Sequence, residues 1–128
     1  MKSLFYKKYM STGQKKNNFS YTIFLRTIIT RFFPIEKNLP ILEIGCGSGE
    51  LLLEAKKAGY SKINGIEISE EMIKNADSSI KQNIKKTNLL KFLKLQSPKK
   101  YKAIIAKDIL EHFSKKELLY ILKKAGVS

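Results

Sequence analysis

The chain has 128 residues, a length that fits one domain with a modest core, and its 25 Lys and Arg against 11 Asp and Glu give a formal net charge of +14. Arg26 and Arg31 are the only arginines, no apolar run approaches the ~20 residues needed to span a membrane, and Cys46, the single cysteine, excludes an internal disulfide. Lysines spread over solvated helix faces account for the charge better than a nucleic-acid surface does, because base-specific contacts lean on arginine and clustered patches. A reducing, cytoplasmic setting fits the cysteine usage.

Residues 1–19 read as a basic lead-in. They lack the apolar core of a signal peptide, and Ser11-Thr12-Gly13 and Asn17-Asn18 break any long helix. The domain is expected over residues 20–128. Tyr21, Phe24, Leu25, Ile28, Ile29 and Phe32 recur at helical spacing and stop before Pro34. Leu39 to Ile44 reads as a first strand, followed by a helix from Glu50 to Ala58 closed by Gly59. Ile63 to Ile68 is a second strand. Ser69, with Glu70 and Glu71 behind it, predicts an N-cap for a helix running to about Lys81, since a hydroxyl and early carboxylates satisfy unpaired amides. A weak third strand near Ile84 to Asn88 precedes helical spacing at Leu89, Leu90, Phe92 and Leu93. Tyr101 to Lys107 is a fourth strand, and Ser114-Lys115-Lys116-Glu117 forms a capping box for a last helix, Lys115 to Lys124. Strands alternating with helices imply an α/β domain with a parallel sheet.

The segment Ile41-Leu-Glu-Ile-Gly-Cys-Gly-Ser-Gly49 carries the functional signal. A buried strand there runs straight into a glycine-rich turn that opens a helix, which is how an α/β sheet receives a nucleotide-like cofactor. Glycines at 45, 47 and 49 let the cofactor approach the backbone and permit positive φ. Their spacing is not that of dinucleotide-binding turns, and Glu43 precedes the first of them by two residues. A carboxylate there would repel a pyrophosphate but suits a cofactor carrying positive charge, such as S-adenosylmethionine with its ammonium and sulfonium. Glu43 thus argues against a domain for some other nucleotide. Glu67 ends the second strand ~20 residues after the turn, the distance expected of an acid that accepts hydrogen bonds from ribose hydroxyls.

With LEIGCGSG at 42–49, GIEIS at 65–69 and KDILEHF at 107–113 in order, the chain resembles the class I S-adenosylmethionine-dependent methyltransferases over roughly residues 39 to 126. The resemblance implies a Rossmann-like, doubly wound parallel sheet with helices on both faces. It is truncated here to about four strands plus an N-terminal helix, where the family usually has seven strands. It further implies a cofactor site built from Glu43, Gly45, Cys46, Gly47, Gly49, Glu67, Ile68, Met72, Asn88 and Leu89. Ile68 and Met72 are core residues first, at positions that flank the adenine in the family. Asn88 stands where the family often has an aspartate receiving the adenine amino group, and its carbonyl remains an acceptor. It also suits the N-cap of the following helix, and one residue would serve both. In the family the N-terminal helix packs over the sheet and partly covers the cofactor, so its aromatics are core first and substrate contacts second. A sheet ending at the fourth strand would leave Tyr101 to Lys107 with a bare edge, and self-association is expected of such a chain.

Methyl transfer from a sulfonium needs no protein nucleophile, only positioning in a dry site and a base for the acceptor's proton. Asp108, Glu111 and His112, at the carboxyl end of the fourth strand, are the candidate catalytic residues, with a structural hydrogen-bonding role equally open for His112. The same three resemble the ligands of Mg²⁺-dependent O-methyltransferases acting on small RNAs and quinone rings. Those families use Glu at the first position and a second histidine, and here they make Mg²⁺ a secondary expectation. No aromatic-proline tetrad of the kind carried by amino-methylating nucleic-acid enzymes follows the strand. The resemblance therefore points to O-methylation of a small molecule, lipid precursor or glycan. An RNA methyltransferase and a non-catalytic binding remnant are the alternatives.

Overall fold

The computed structural model describes residues 2–6, 18–95, 100–107 and 109–124. Five strands form one parallel sheet: β1 (Lys2–Tyr6), β2 (Ile41–Ile44), β3 (Ile63–Glu67), β4 (Ile84–Lys86) and β5 (Ala103–Lys107), in the order β1-β5-β2-β3-β4. The helices are α1 (Asn18–Phe32), α2 (Glu50–Lys57), α3 (Glu70–Lys74), α4 (Leu89–Leu95) and α5 (Lys115–Lys124). No helix among the described residues is long and apolar enough to cross a membrane.

β2 and β5 are buried at every position, as strands covered on both faces must be. One face of the sheet packs Ile41, Ile63, Ala103 and Ile105 against Leu25, Ile28 and Ile29 of α1 and Leu51, Leu52 and Ala55 of α2. The other packs Leu42, Ile44, Ile66, Ile104 and Ala106 against Phe92 and Leu93 of α4 and Ile121 of α5. Alternate residues of each strand thus enter two separate cores. From β2 the chain winds outward through β3 to β4, then returns to place β5 on the other side of β2. The carboxyl end of β2 is therefore the point where the winding reverses, and ligands of open α/β sheets bind beside such a point.

The four expected strands and the expected helices are present, several with ends shifted by one or two residues: α2 ends at Lys57, β3 at Glu67 and β4 at Lys86, and β5 starts at Ala103. Three further differences stand out. The helix after Ser69 stops at Lys74 instead of about Lys81. Its Ser69 cap is made as expected, Oγ accepting from the Met72 amide at 3.2 Å, but Asp77 accepts from both the amide and the hydroxyl of Ser79 and turns the chain away. β2 starts only at Ile41, after Pro40. The third difference is β1, which lies within the stretch read as a lead-in and pairs with β5 from Lys2↔Ala103 to Tyr6↔Lys107. The edge of β5 expected to be bare is hydrogen-bonded, and among the described residues the five-residue β1 is the outermost strand on that side of the sheet.

Candidate functional site

A cleft of about 640 Å³ opens at the carboxyl ends of β2, β3, β4 and β5. The turn after β2 forms its floor. Gly45, Gly47 and Gly49 have φ of 67°, 60° and 78°, values that L side chains rarely adopt. The turn is tied to the sheet and closed on itself, since the Cys46 amide donates to the Ile66 carbonyl at 3.0 Å and the Gly49 amide to the Cys46 carbonyl at 2.9 Å.

Glu67 closes the next side. One carboxylate oxygen accepts from the Gly47 amide and the other from the Ser69 amide, both at 2.8 Å. The acid ending β3 therefore fastens the glycine turn to the turn that opens α3, and each oxygen retains acceptor capacity toward the cleft. Ile68, exposed, and Met72 flank this side, and a Cβ on Gly47 would come within 3.0 Å of Met72 Cε. Asn88 does two things at once: it lines the cleft, and its Oδ1 caps α4 by accepting from the Lys91 amide at 2.7 Å. Leu89 lines the cleft beside it.

Gly45, Cys46, Gly47, Glu67, Ile68, Met72, Asn88, Leu89 and His112 thus share the cleft. Gly49 does not line it. A Cβ there would lie 2.6 Å from Ile80 Cδ1, so this glycine makes room for the core under α2. The Cys46 thiol is buried, and burial, with the charges of Glu43 and Glu67 adding to it, pushes its pKa far above the ordinary range, so it is no nucleophile. Of the three candidate catalytic residues, His112 reaches the cleft from an exposed position, Glu111 is exposed and does not line it, and Asp108 lies outside the described residues. Among the described residues, which do not include Asp108, no three His, Cys, Asp or Glu side chains gather where they would hold a metal ion, and the metal expectation gains no support.

Glu43 stands behind the cleft. It is completely buried and points toward the α1 face of the sheet, 3.4 Å from the Nζ of Lys107. Neither of its oxygens has a hydrogen-bond donor among the described residues. Burial pushes its carboxyl up to about 7, with Lys107 opposing the rise and Glu50 and Glu67 adding to it. Lys107, the last residue of β5, lines the cleft and donates to the Tyr21 hydroxyl of α1 at 3.3 Å. Burial works against its charge, but Glu43 and Tyr21 outweigh burial and hold its pKa above that of an ordinary lysine.

Sequence reasoning missed Lys107, together with Glu50, Ile109 and Phe113, which also line the cleft. A signal existed: a lysine ends the otherwise apolar Ala103-Ile-Ile-Ala106, and β2 carries an acid in an equally apolar run. Glu43 is in register with Ile105, so Lys107 lies two residues further along on the same face.

The family described as a methyltransferase domain matches residues 20–124. Among curated proteins, the ribosomal protein L11 methyltransferase of Dictyoglomus thermophilum is 33% identical over 100 residues, covering 73% of this chain and 32% of that protein. The enzyme of the same name from Lactobacillus johnsonii is 36% identical over 76 residues, 55% of this chain and 23% of that protein. Among solved structures, a SAM-dependent methyltransferase from Archaeoglobus fulgidus superposes with a TM-score of 0.70 at 25% identity, over 91% of this chain and 52% of that one. Magnesium protoporphyrin IX methyltransferase from Synechocystis shares the fold, with a TM-score of 0.63 at 18% identity over 92% of this chain and 59% of that one. The chain spans about a third of the length of the first of these curated relatives and about half of the first structure. With the match running through the glycine turn, Glu67 at the end of β3 and four parallel strands in their expected order, the chain belongs to the methyltransferase-domain family, in its class I S-adenosylmethionine-dependent form.

Proposed function

We propose that the cleft binds S-adenosylmethionine and that the protein to which these residues belong transfers its methyl group to the oxygen of a small molecule, lipid precursor or glycan. The observation that carries the reading is the Glu67 carboxylate, held at the mouth of β3 by the Gly47 and Ser69 amides and aimed where ribose hydroxyls would donate. The residues present fit such a cofactor. Gly45 and Gly47 expose backbone, Ile68 and Met72 offer apolar walls to a flat base, and Asn88 offers an acceptor beside them. When bound, the cofactor supplies a methyl carbon made electrophilic by its sulfonium. The chain's own part is to hold both ends of the cofactor, to shield the reacting centre with Ile109 and Phe113, and to present His112 at the rim as an orienting group or a base for the acceptor's proton.

A second reading, a protein acceptor, draws on the likeness to ribosomal protein methyltransferases. Titration calorimetry of the chain with S-adenosylmethionine and S-adenosylhomocysteine is the test of the cofactor reading, and saturable binding of both is expected. Absence of heat at millimolar ligand, with the fold intact by circular dichroism, would overturn it. Transfer of labelled methyl groups to candidate glycans, lipids and ribosomal proteins would then separate the acceptors.

A further inference from the structure

β5 ends in a buried ion pair, Lys107 with Glu43. A lysine and a glutamate taken from water into a protein interior lose much hydration free energy, and apolar residues of similar size are often as stable. Yet Lys107 is only 9% exposed and Glu43 not at all. Lys107 lines the cleft, while Glu43, completely buried, has no hydrogen-bond donor on either oxygen among the described residues. Tyr21 lies against Lys107 from α1, its hydroxyl 3.3 Å and its ring centroid 5.8 Å from the ammonium. A second carboxylate, Glu50, lines the same cleft from the first turn of α2 and is close enough to act on the charge of Lys107. This part of the cleft therefore presents a fixed cation and a fixed anion, with a buried counter-charge behind the cation. An α-amino acid, with its ammonium and carboxylate on one carbon, is the complementary arrangement.

Sheet order says which amino acid that is. Glu67 ends β3, Lys107 ends β5, and the glycine turn of β2 lies between them. Two strand spacings separate β3 from β5, about 10 Å. A ribose on Glu67 directs the rest of an S-adenosyl cofactor across the glycine turn toward β5, so its amino-acid end arrives at Lys107. We propose that Lys107, held by Glu43 and Tyr21, is the binding residue for the carboxylate of the cofactor's amino-acid end, with Glu50 facing its ammonium. The proposal rests on the cofactor reading above and adds a recognition element to it. Lys107 places a cation near a sulfonium without repelling the cofactor, because the cofactor's own carboxylate and the Glu43 carboxylate stand on either side of it.

The test is calorimetry on the full chain with two probes, S-adenosylhomocysteine and 5′-methylthioadenosine, which lacks the amino-acid end. The paired change Glu43→Gln with Lys107→Met removes both charges and leaves none buried alone. It should weaken S-adenosylhomocysteine about ten- to a hundredfold, the range for a hydrogen bond to a charged group, while methylthioadenosine stays within about twofold. Retained methylthioadenosine binding also shows that the variant cleft is intact. A variant that keeps the wild-type ratio between the two probes overturns the assignment. Should the variant fail to fold, the wild type decides. The decarboxylated analogue of S-adenosylhomocysteine is expected to bind at least about tenfold more weakly than its parent, and equal affinity overturns the assignment. A wild-type chain that binds none of the three overturns the cofactor reading itself, whereas one that binds all of them alike overturns the role of Lys107 alone.

Discussion

Replacing Glu67 by alanine removes one carboxylate and leaves two backbone amides without an acceptor. The Gly47 and Ser69 amides each donate to it at 2.8 Å, one on each oxygen, so a single side chain fastens the turn after β2 to the turn before α3. A hydrogen bond to a charged group is worth about 1.5–3 kcal/mol when well buried. Glu67 is only partly buried and water can reach the released amides, so about 1–1.5 kcal/mol for each bond, or about 2–3 kcal/mol in all, is the expected loss. At roughly 4 °C per kcal/mol for a chain of this length, the melting temperature should fall by roughly 8–12 °C. Glu67→Gln should rescue poorly, because an amide accepts at one end only and turns its NH₂ toward the other donor. The assay is thermal unfolding followed by circular dichroism, with adenosine titration at a temperature where every variant is folded. Alanine at 67 should weaken adenosine by about tenfold or more, as its ribose hydroxyls lose their acceptor. A Glu67→Ala protein that melts within about 2 °C of wild type would refute the fastening role, and unchanged adenosine affinity would refute the ribose role.

Gly49→Ala should destabilise by about 2–4 kcal/mol, since a methyl group at φ 78° would lie 2.6 Å from Ile80 Cδ1 in a filled core; denaturant midpoints check it, and a loss below about 1 kcal/mol would mean that Ile80 yields. The carboxyl of Glu43 is held at about 7 against an ordinary 4.5, so the folded state favours its protonated form. Its contribution is complete below pH 4.5 and is lost as pH rises to 7, so stability should fall across that window by roughly 2–3 kcal/mol relative to Glu43→Gln. Parallel pH profiles of the two proteins would contradict this.

Local signals in the sequence translated directly into structure where one short segment determines its own geometry. The capping box at Ser114 and Glu117 forms in both directions, at 2.9 Å and 3.1 Å. Asn88 caps α4 and lines the cleft together, as its position between strand and helix allowed. What escaped depends on pairing between distant segments. Nothing local in Lys2 to Tyr6 marks it as a strand, because its partner lies in β5. Lys107 looks like the exposed end of a strand until the registers of β2 and β5 and the placement of Tyr21 are known together. The shortened α3 is a case where a local signal was present but underweighted: Asn75, Asp77, Ser78 and Ser79 are poor helix formers, and the Asp77 side chain accepts from the Ser79 amide and hydroxyl in a turn that ends the helix.

The β1–β5 pairing also bears on the order in which the chain folds. β2, β3 and β4 each meet a neighbour after a short crossover, whereas β1 must find a partner about a hundred residues away, at a larger cost in loop entropy and time. On a ribosome β1 emerges well before β5 and can pair with it only afterwards. Until β5 has been synthesised and seated against β2, the backbone groups that β1 pairs with it remain open to chaperones, to other chains, or to pairing in the wrong place.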